Sequence, residues 1–253
     1  MKFSAIASVV AAAALCAVSA SAADVFVGAE LSSAYLSSGT TYNDGFVLGP
    51  SLEVSNMKYG ETELPFILGF WGNIDLDDSF DPAYHSGRFS EIDLWAGLDI
   101  AKMIGNEDLT LYVGFLEYDY PNVGGETDYL VDAKVGYKFD YLNPTLRLKW
   151  NVGGGASGRC EMIARVGHDF DIGETGVSFG LSADIDYFRW EDGNAKDDGF
   201  ASSLFAATLS WKDFYLTGGY VAQWDDKVLP DATEESSGYD VEWIGIFGWG
   251  HSF

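Results

Sequence analysis

The chain is poor in the residues that staple, break or activate a fold. It has two cysteines, six prolines and three histidines among 253 residues. Cys16 lies in the leading segment discussed below, so Cys160 has no partner and an intrachain disulfide is excluded. Basic residues are also scarce: 14 Lys and Arg stand against 39 Asp and Glu, a formal charge of −25. A chain this acidic repels phosphate backbones, so nucleic acid is excluded as a partner. Beyond the leader no stretch approaches the ~18 continuous apolar residues of a membrane helix. The one membrane-spanning form left open is a closed barrel, in which every backbone polar group is paired.

What is present begins with an export signal. Met1-Lys2 is charged, Ile6 to Val18 is apolar and Ala-rich, and Ala20-Ser21-Ala22 gives the small-x-small pattern of a cleavage site. Residues 1–22 are therefore expected to be removed, with a mature start near Ala23. Loss of Lys2 takes the charge from −25 to −26. Leu15 precedes Cys16 where a lipobox needs a small residue, so lipidation is not expected.

The mature chain, 23–253, reads as one domain. Acidic composition alone often means disorder. Here 15% aromatic residues and 30 glycines argue for strands and tight turns. The dominant pattern is an alternation of period two, broken by Gly, Asn, Asp and Pro. In Thr127 to Phe139, Tyr129, Val131, Ala133, Val135, Tyr137 and Phe139 share one face. Asp128, Asp132, Lys134, Gly136 and Lys138 share the other, with Leu130 as the exception. Twelve such runs occur, at 24–36, 45–55, 62–74, 89–100, 109–119, 127–139, 144–152, 160–170, 177–190, 200–210, 214–223 and 241–253. Most have the ~9–11 residues of a tilted membrane strand. The even count fits a single-chain barrel. Two runs fit least well: 45–55 carries Pro50 in its interior, and 109–119 is mixed on both faces.

The connections alternate in kind. Asn56–Glu61, Ala101–Asp108, Asp140–Asn143, Asp171–Gly176 and Trp211–Asp213 are compact; Asp75–Arg88, Glu191–Gly199 and Trp224–Asp240 are long and acidic. Outer-membrane barrels have short periplasmic turns and long outer loops, and a soluble sandwich gives no reason for that alternation. In the last run Trp243, Phe247, Trp249 and Phe253 share one parity, with His251 between them. An aromatic row ending on Phe is similar to the signal read by the barrel assembly machinery. The expectation is an all-β, antiparallel, up-and-down barrel of about twelve strands in a bacterial outer membrane, with membrane lipids and that machinery as partners.

The stretch Ser33-Ala34-Tyr35-Leu36-Ser37-Ser38-Gly39-Thr40-Thr41, followed by Asn43-Asp44-Gly45 and later by Gly69-Phe70-Trp71-Gly72-Asn73-Ile74-Asp75, resembles the TorF family of outer-membrane proteins. Ser38 stands where that family has Arg. The resemblance covers about the first third of the mature chain. It implies an outer-membrane barrel and little about cargo.

Chemistry is sparse. His85-Ser86, His251-Ser252 and His168 give no recognisable nucleophile–base motif. Asp75, Asp77, Asp78 and Asp81 lack the spacing of a calcium loop. Gly153-Gly154-Gly155 lacks the Lys-Ser/Thr and helix of a phosphate loop. Glu234-Glu235 reads as solvated surface or as cation-bridged to lipid headgroups. No enzyme activity, cofactor or metal is expected. The less apolar parity puts Glu53, Glu91, Asp93, Asp99, Asp128, Asp132, Lys134, Lys138, Arg147, Lys149, Glu161, Arg165, Asp169, Asp184, Asp186 and Glu242 inside. Lys134, Lys138, Arg147, Lys149 and Arg165 lie on three consecutive strands and form a basic stripe. The acids outnumber them. The reading is a narrow porin-like channel for small hydrophilic solutes with weak cation preference, which Lys149→Glu should increase. A closed barrel acting through acidic outer loops is the alternative, and a lipid-modifying enzyme the third.

Overall fold

A computed structural model of the chain describes residues 23–59, 61–77, 86–122, 125–190, 196–233 and 236–253. The leader with Cys16, and Asp78, Asp81, His85, Glu234 and Glu235, lie outside the described residues.

Each of the twelve alternating runs supplies one barrel strand. They are β1 Asp24–Ser32, β2 Val47–Ser55, β3 Phe66–Asp75, β4 Phe89–Asp99, β5 Leu109–Asp119, β6 Asp128–Tyr137, β7 Thr145–Gly153, β8 Cys160–Asp171, β9 Val177–Arg189, β10 Gly199–Trp211, β11 Phe214–Gln223 and β12 Trp243–Ser252. Each pairs antiparallel with its neighbours in the chain, and β12 returns to β1 with a register from Phe26↔Ser252 to Ser32↔Ile246. Closure leaves no open edge, so no row of backbone N–H and C=O groups goes unpaired.

Alternation decides which side faces in. On β6, Asp128, Leu130 and Asp132 are buried inside, whereas Tyr129, Val135 and Tyr137 are exposed outside. On β7, Arg147, Lys149 and Asn151 face in and Leu146, Leu148, Trp150 and Val152 face out, all four exposed. The belt continues through Val166 and Phe170, Phe179 and Leu181, Phe205 and Leu209, and Leu216 and Phe247. Water-soluble monomers do not expose contiguous apolar surface on this scale. In hydrocarbon the same belt has no exposure cost.

The two awkward runs have local explanations. Pro50 pairs with Ala29 of β1, but toward β3 the register skips Gly49 and Pro50. The missing N–H of proline thus falls where the ladder is already interrupted. β5 is mixed because Leu116 and Tyr118 face in and pack on Leu130 as a small internal core, while Val113 and Phe115 face out. β6 ends at Tyr137, short of the expected Phe139, so Lys138 lies in an exposed turn.

At one end the connections are tight: a small hairpin pairing Lys58–Tyr59 with Thr62–Glu63, the one-turn helix α1 Ile100–Met103, and short turns at 138–144, 172–176 and 212–213. Lys102 of α1 bonds Glu63 at 2.9 Å, and that hydrogen bond and charge hold the exposed Glu63 carboxyl below its ordinary range. The long connections lie at the opposite end.

Candidate functional site

The run expected at 24–36 stops at Ser32. The following residues form a hairpin, Tyr35–Ser37 paired with Thr40–Asn43, that enters the barrel interior. Its two-residue turn is Ser38 (φ 48°) and Gly39 (φ 79°), both left-handed. A Cβ on Gly39 would lie 2.4 Å from Ser202, so the turn is seated against β10 as only glycine allows. The hairpin is tied to two different walls, one at its root and one at its tip. Tyr35 donates to Glu91 of β4 at 2.8 Å, and Ser38 donates to Glu161 of β8. Tyr35 stacks on Tyr42 with centroids 5.3 Å apart and meets Trp71 at a tilt with centroids 5.5 Å apart.

The hairpin root is fixed by buried amides. Asn43 donates to Asp75 at 2.7 Å, and Asn73 donates to Asp75 at 3.0 Å and to Ser90 at 2.7 Å. The two segments that resemble TorF, around Ser33–Gly45 and Gly69–Asp75, therefore meet at one place. The last long loop closes over the hairpin. Val228 and Leu229 are buried with Phe188 and Ala201, and Thr41 bridges to Gly238.

Two cavities meet at the hairpin tip, of about 610 and 380 Å3, and both touch Leu36, Ser37, Lys134, Arg147 and Lys149. The larger is also lined by Glu53, Glu91, Asp93, Asp99 and Asp132 with Trp71, Trp95, Tyr112 and Tyr118. The smaller takes Arg165, Asp184 and Asp186, and an apolar wall of Leu204, Val221, Ile244 and Ile246. Of the other residues expected inside, Glu161 is buried beneath the hairpin and Asp128 caps a loop by accepting from Ala156 N–H at 2.9 Å. Lys138, Asp169 and Glu242 are exposed and line neither cavity.

Two members of the basic stripe are matched by acids. Arg147 donates twice to Asp132, at 2.8 and 2.7 Å, and Lys149 pairs with Glu161 at 3.4 Å, both groups buried. Lys134 makes no ion pair among the described residues. On the acidic side Asp186 accepts from Ser202 at 2.9 Å and Asp184 from the Leu204 N–H at 2.9 Å. Glu53, Glu91, Asp93 and Asp99 make no ion pair among the described residues.

Sequence reasoning missed the inward hairpin and the inward aromatics. The available signal was an inward glycine on the strand beside an aromatic. A Cβ on Gly69 would lie 2.0 Å from Trp95, and one on Gly248 2.0 Å from Tyr215. The rings lie flat on the wall over these glycines.

The remaining candidates take other places. His251 faces out and bonds Asp213 at 3.1 Å. His168 packs edge-on against Phe170. Cys160 is a half-buried free thiol. Asp75 belongs to the hairpin root, and Gly154 (φ 98°) turns the loop after β7. Trp243, Phe247 and Trp249 form an outward row, and Phe253 N–H donates to Val25 C=O at 2.9 Å where the barrel closes.

No protein-family model and no curated protein matches the chain. Solved structures similar to it include the KdgM porin, at 10% identity and a TM-score of 0.48 over 91% of this chain and 99% of that one. The NanC porin aligns at 14% identity and 0.45 over 90% and 98%, and an outer membrane channel from Pseudomonas putida F1 at 11% and 0.44 over 91% and 94%. None is similar enough to bring a solute or a role to this chain, and the TorF resemblance rests on the quoted residues alone.

Proposed function

We propose that the chain is an outer-membrane channel for small hydrophilic solutes, narrowed by its first loop-end hairpin and weakly selective for cations. The observation that carries this reading is the larger charged cavity. It runs from Asp99 and Leu109 at the turn end to Glu91 and Tyr35 under the hairpin. Such a polar interior inside an apolar belt is the arrangement of a membrane barrel that handles water-soluble cargo. The expected export signal, removed near Ala23, and an aromatic terminal strand read by the assembly machinery would deliver it there.

The selectivity follows from which charges are matched. Arg147 and Lys149 are compensated by Asp132 and Glu161, so their field at the cavity is small. Glu53, Glu91, Asp93 and Asp99 have no such partner and dominate the opposite wall. Low-dielectric walls focus this field, and salt weakens it over a Debye length of ~10 Å at 0.1 M. Lys149→Glu is a poor test, because it would set a second carboxylate against buried Glu161. Lys134→Glu adds an acid without breaking a pair. A closed barrel is the second reading, favoured by the Val228–Leu229 lid seated over the hairpin.

Reversal potentials across planar bilayers under a KCl gradient test the proposal. The wild type should prefer K+ at low salt, and Lys134→Glu should move the potential further toward K+. Anion preference in the wild type contradicts the field argument, and absence of current selects the closed barrel.

A further inference from the structure

The wall formed by β2, β3 and β4 leaves a demand for positive charge, because Glu53, Glu91 and Asp93 make no ion pair among the described residues, even with Lys134 lining the same cavity. In the barrel register Glu53 of β2, Gly69 of β3 and Trp95 of β4 share one row, and Trp71 and Asp93 share the next. Gly69, which pairs with both Glu53 and Trp95, lets the Trp95 ring lie flat across β3 toward Glu53. Glu91 already accepts from Tyr35. The Asp93 and Glu91 carboxyls are hydrogen-bonded to each other, and Asp93 Oδ1 is shielded from solvent with no hydrogen-bond partner among the described residues. A shielded carboxylate oxygen without a donor is costly unless something supplies one.

The shape of the demand narrows its answer. Glu53 and Asp93 stand two strands apart, on the order of 10 Å at the backbone. No three acidic, histidine or cysteine side chains converge as metal ligands among the described residues. A single small ion therefore reaches either Glu53 or the Asp93–Glu91 pair, and cannot serve both at that separation. Between the acids lie the faces of Trp71 and Trp95, which attract cationic groups and cover methylenes. The cavity, about 610 Å3, is in the size range of small-molecule sites.

We propose that this cavity binds a small organic cation with two ammonium groups, one at Glu53 and one at the Asp93–Glu91 pair, its carbon spacer lying on the indoles. This rests on the channel reading, through which the solute gains access, and adds the class of solute.

The test is calorimetric titration of the detergent-solubilised protein with 1,4-diaminobutane, and with succinate at matched ionic strength. The expected result is saturable binding of the diamine and none of succinate. Asp93→Asn and Glu53→Gln should each weaken it about tenfold or more, roughly the loss of one charged contact. Asp226→Asn, in an outer loop, should leave it unchanged. Trp95→Phe keeps the ring and loses the indole N–H; it should weaken binding less, and it guards against misfolding of the charge variants. Heat-modifiable gel mobility confirms the fold of each. No saturable heat from folded wild type, equal binding by the Asp93→Asn protein, or succinate binding in its place overturns the inference. Conductance with no diamine binding removes the site and leaves the channel; diamine binding with no conductance removes the channel and leaves the site.

Discussion

At the residue scale the interior is a set of charges whose partners decide their effect. Asp132 is buried and held by both prongs of Arg147. Arg147→Ala should destabilise the barrel by about 1.5–3 kcal/mol, the range for hydrogen bonds to charged groups. Denaturant unfolding in detergent, followed by tryptophan fluorescence, measures it. An unchanged midpoint would mean that lumenal water replaces the guanidinium. Space on the wall is a second constraint. Tyr215 lies over Gly248 and donates to Glu30 of β1. Gly248→Val should cost about 1–3 kcal/mol by overpacking, and adding Tyr215→Ala should recover much of that. If the double variant is no better than the single, the ring is not the obstacle.

Side-chain parity was legible in the sequence, because strand geometry fixes it with a period of two. Glu53, Glu91, Asp93, Lys134, Arg147 and Lys149 line the cavities because their neighbours are apolar. Partners were not legible. Nothing along the chain says that Lys149 meets Glu161 or that Trp95 folds over Gly69, since these are contacts across strands. Lys138 was misplaced because alternation continues in sequence for two residues after the strand has stopped pairing.

At the scale of elements, the twelve barrel strands emerged as twelve runs, and the hairpin between β1 and β2 did not. Residues 33–45 are mostly small and polar with no sustained alternation, and their inward course depends on distant anchors: Glu91, Glu161, Asp75 and Gly238. The resemblance of Ser33–Gly45 and Gly69–Asp75 to one family marked both halves of that anchor without showing that they touch. The terminal strand carries a separate expectation. Trp243, Phe247, Trp249 and Phe253 are proposed as the row that assembly machinery reads. Deleting Phe253 should lower the folded protein in outer-membrane fractions and leave chain in the periplasm, as immunoblots of the two fractions would show. Normal levels would reduce Phe253 to its backbone bond with Val25.

At the scale of the whole molecule, an apolar outer wall surrounds a charged interior that one hairpin enters, and we propose that this hairpin sets the free passage. Neither the belt nor the closure depends on the hairpin, because the β1–β2 ladder runs from Asp24↔Ser55 to Ser32↔Val47 without it. The hairpin can therefore be shortened without opening the barrel. Single-channel conductance of the wild type, and of a variant in which residues 36–41 are replaced by two glycines, tests the central claim most directly. The account predicts small discrete openings in the wild type and a severalfold larger conductance in the variant, with heat-modifiable mobility preserved. Equal conductances in two folded proteins would contradict it, because the hairpin would then not be the constriction.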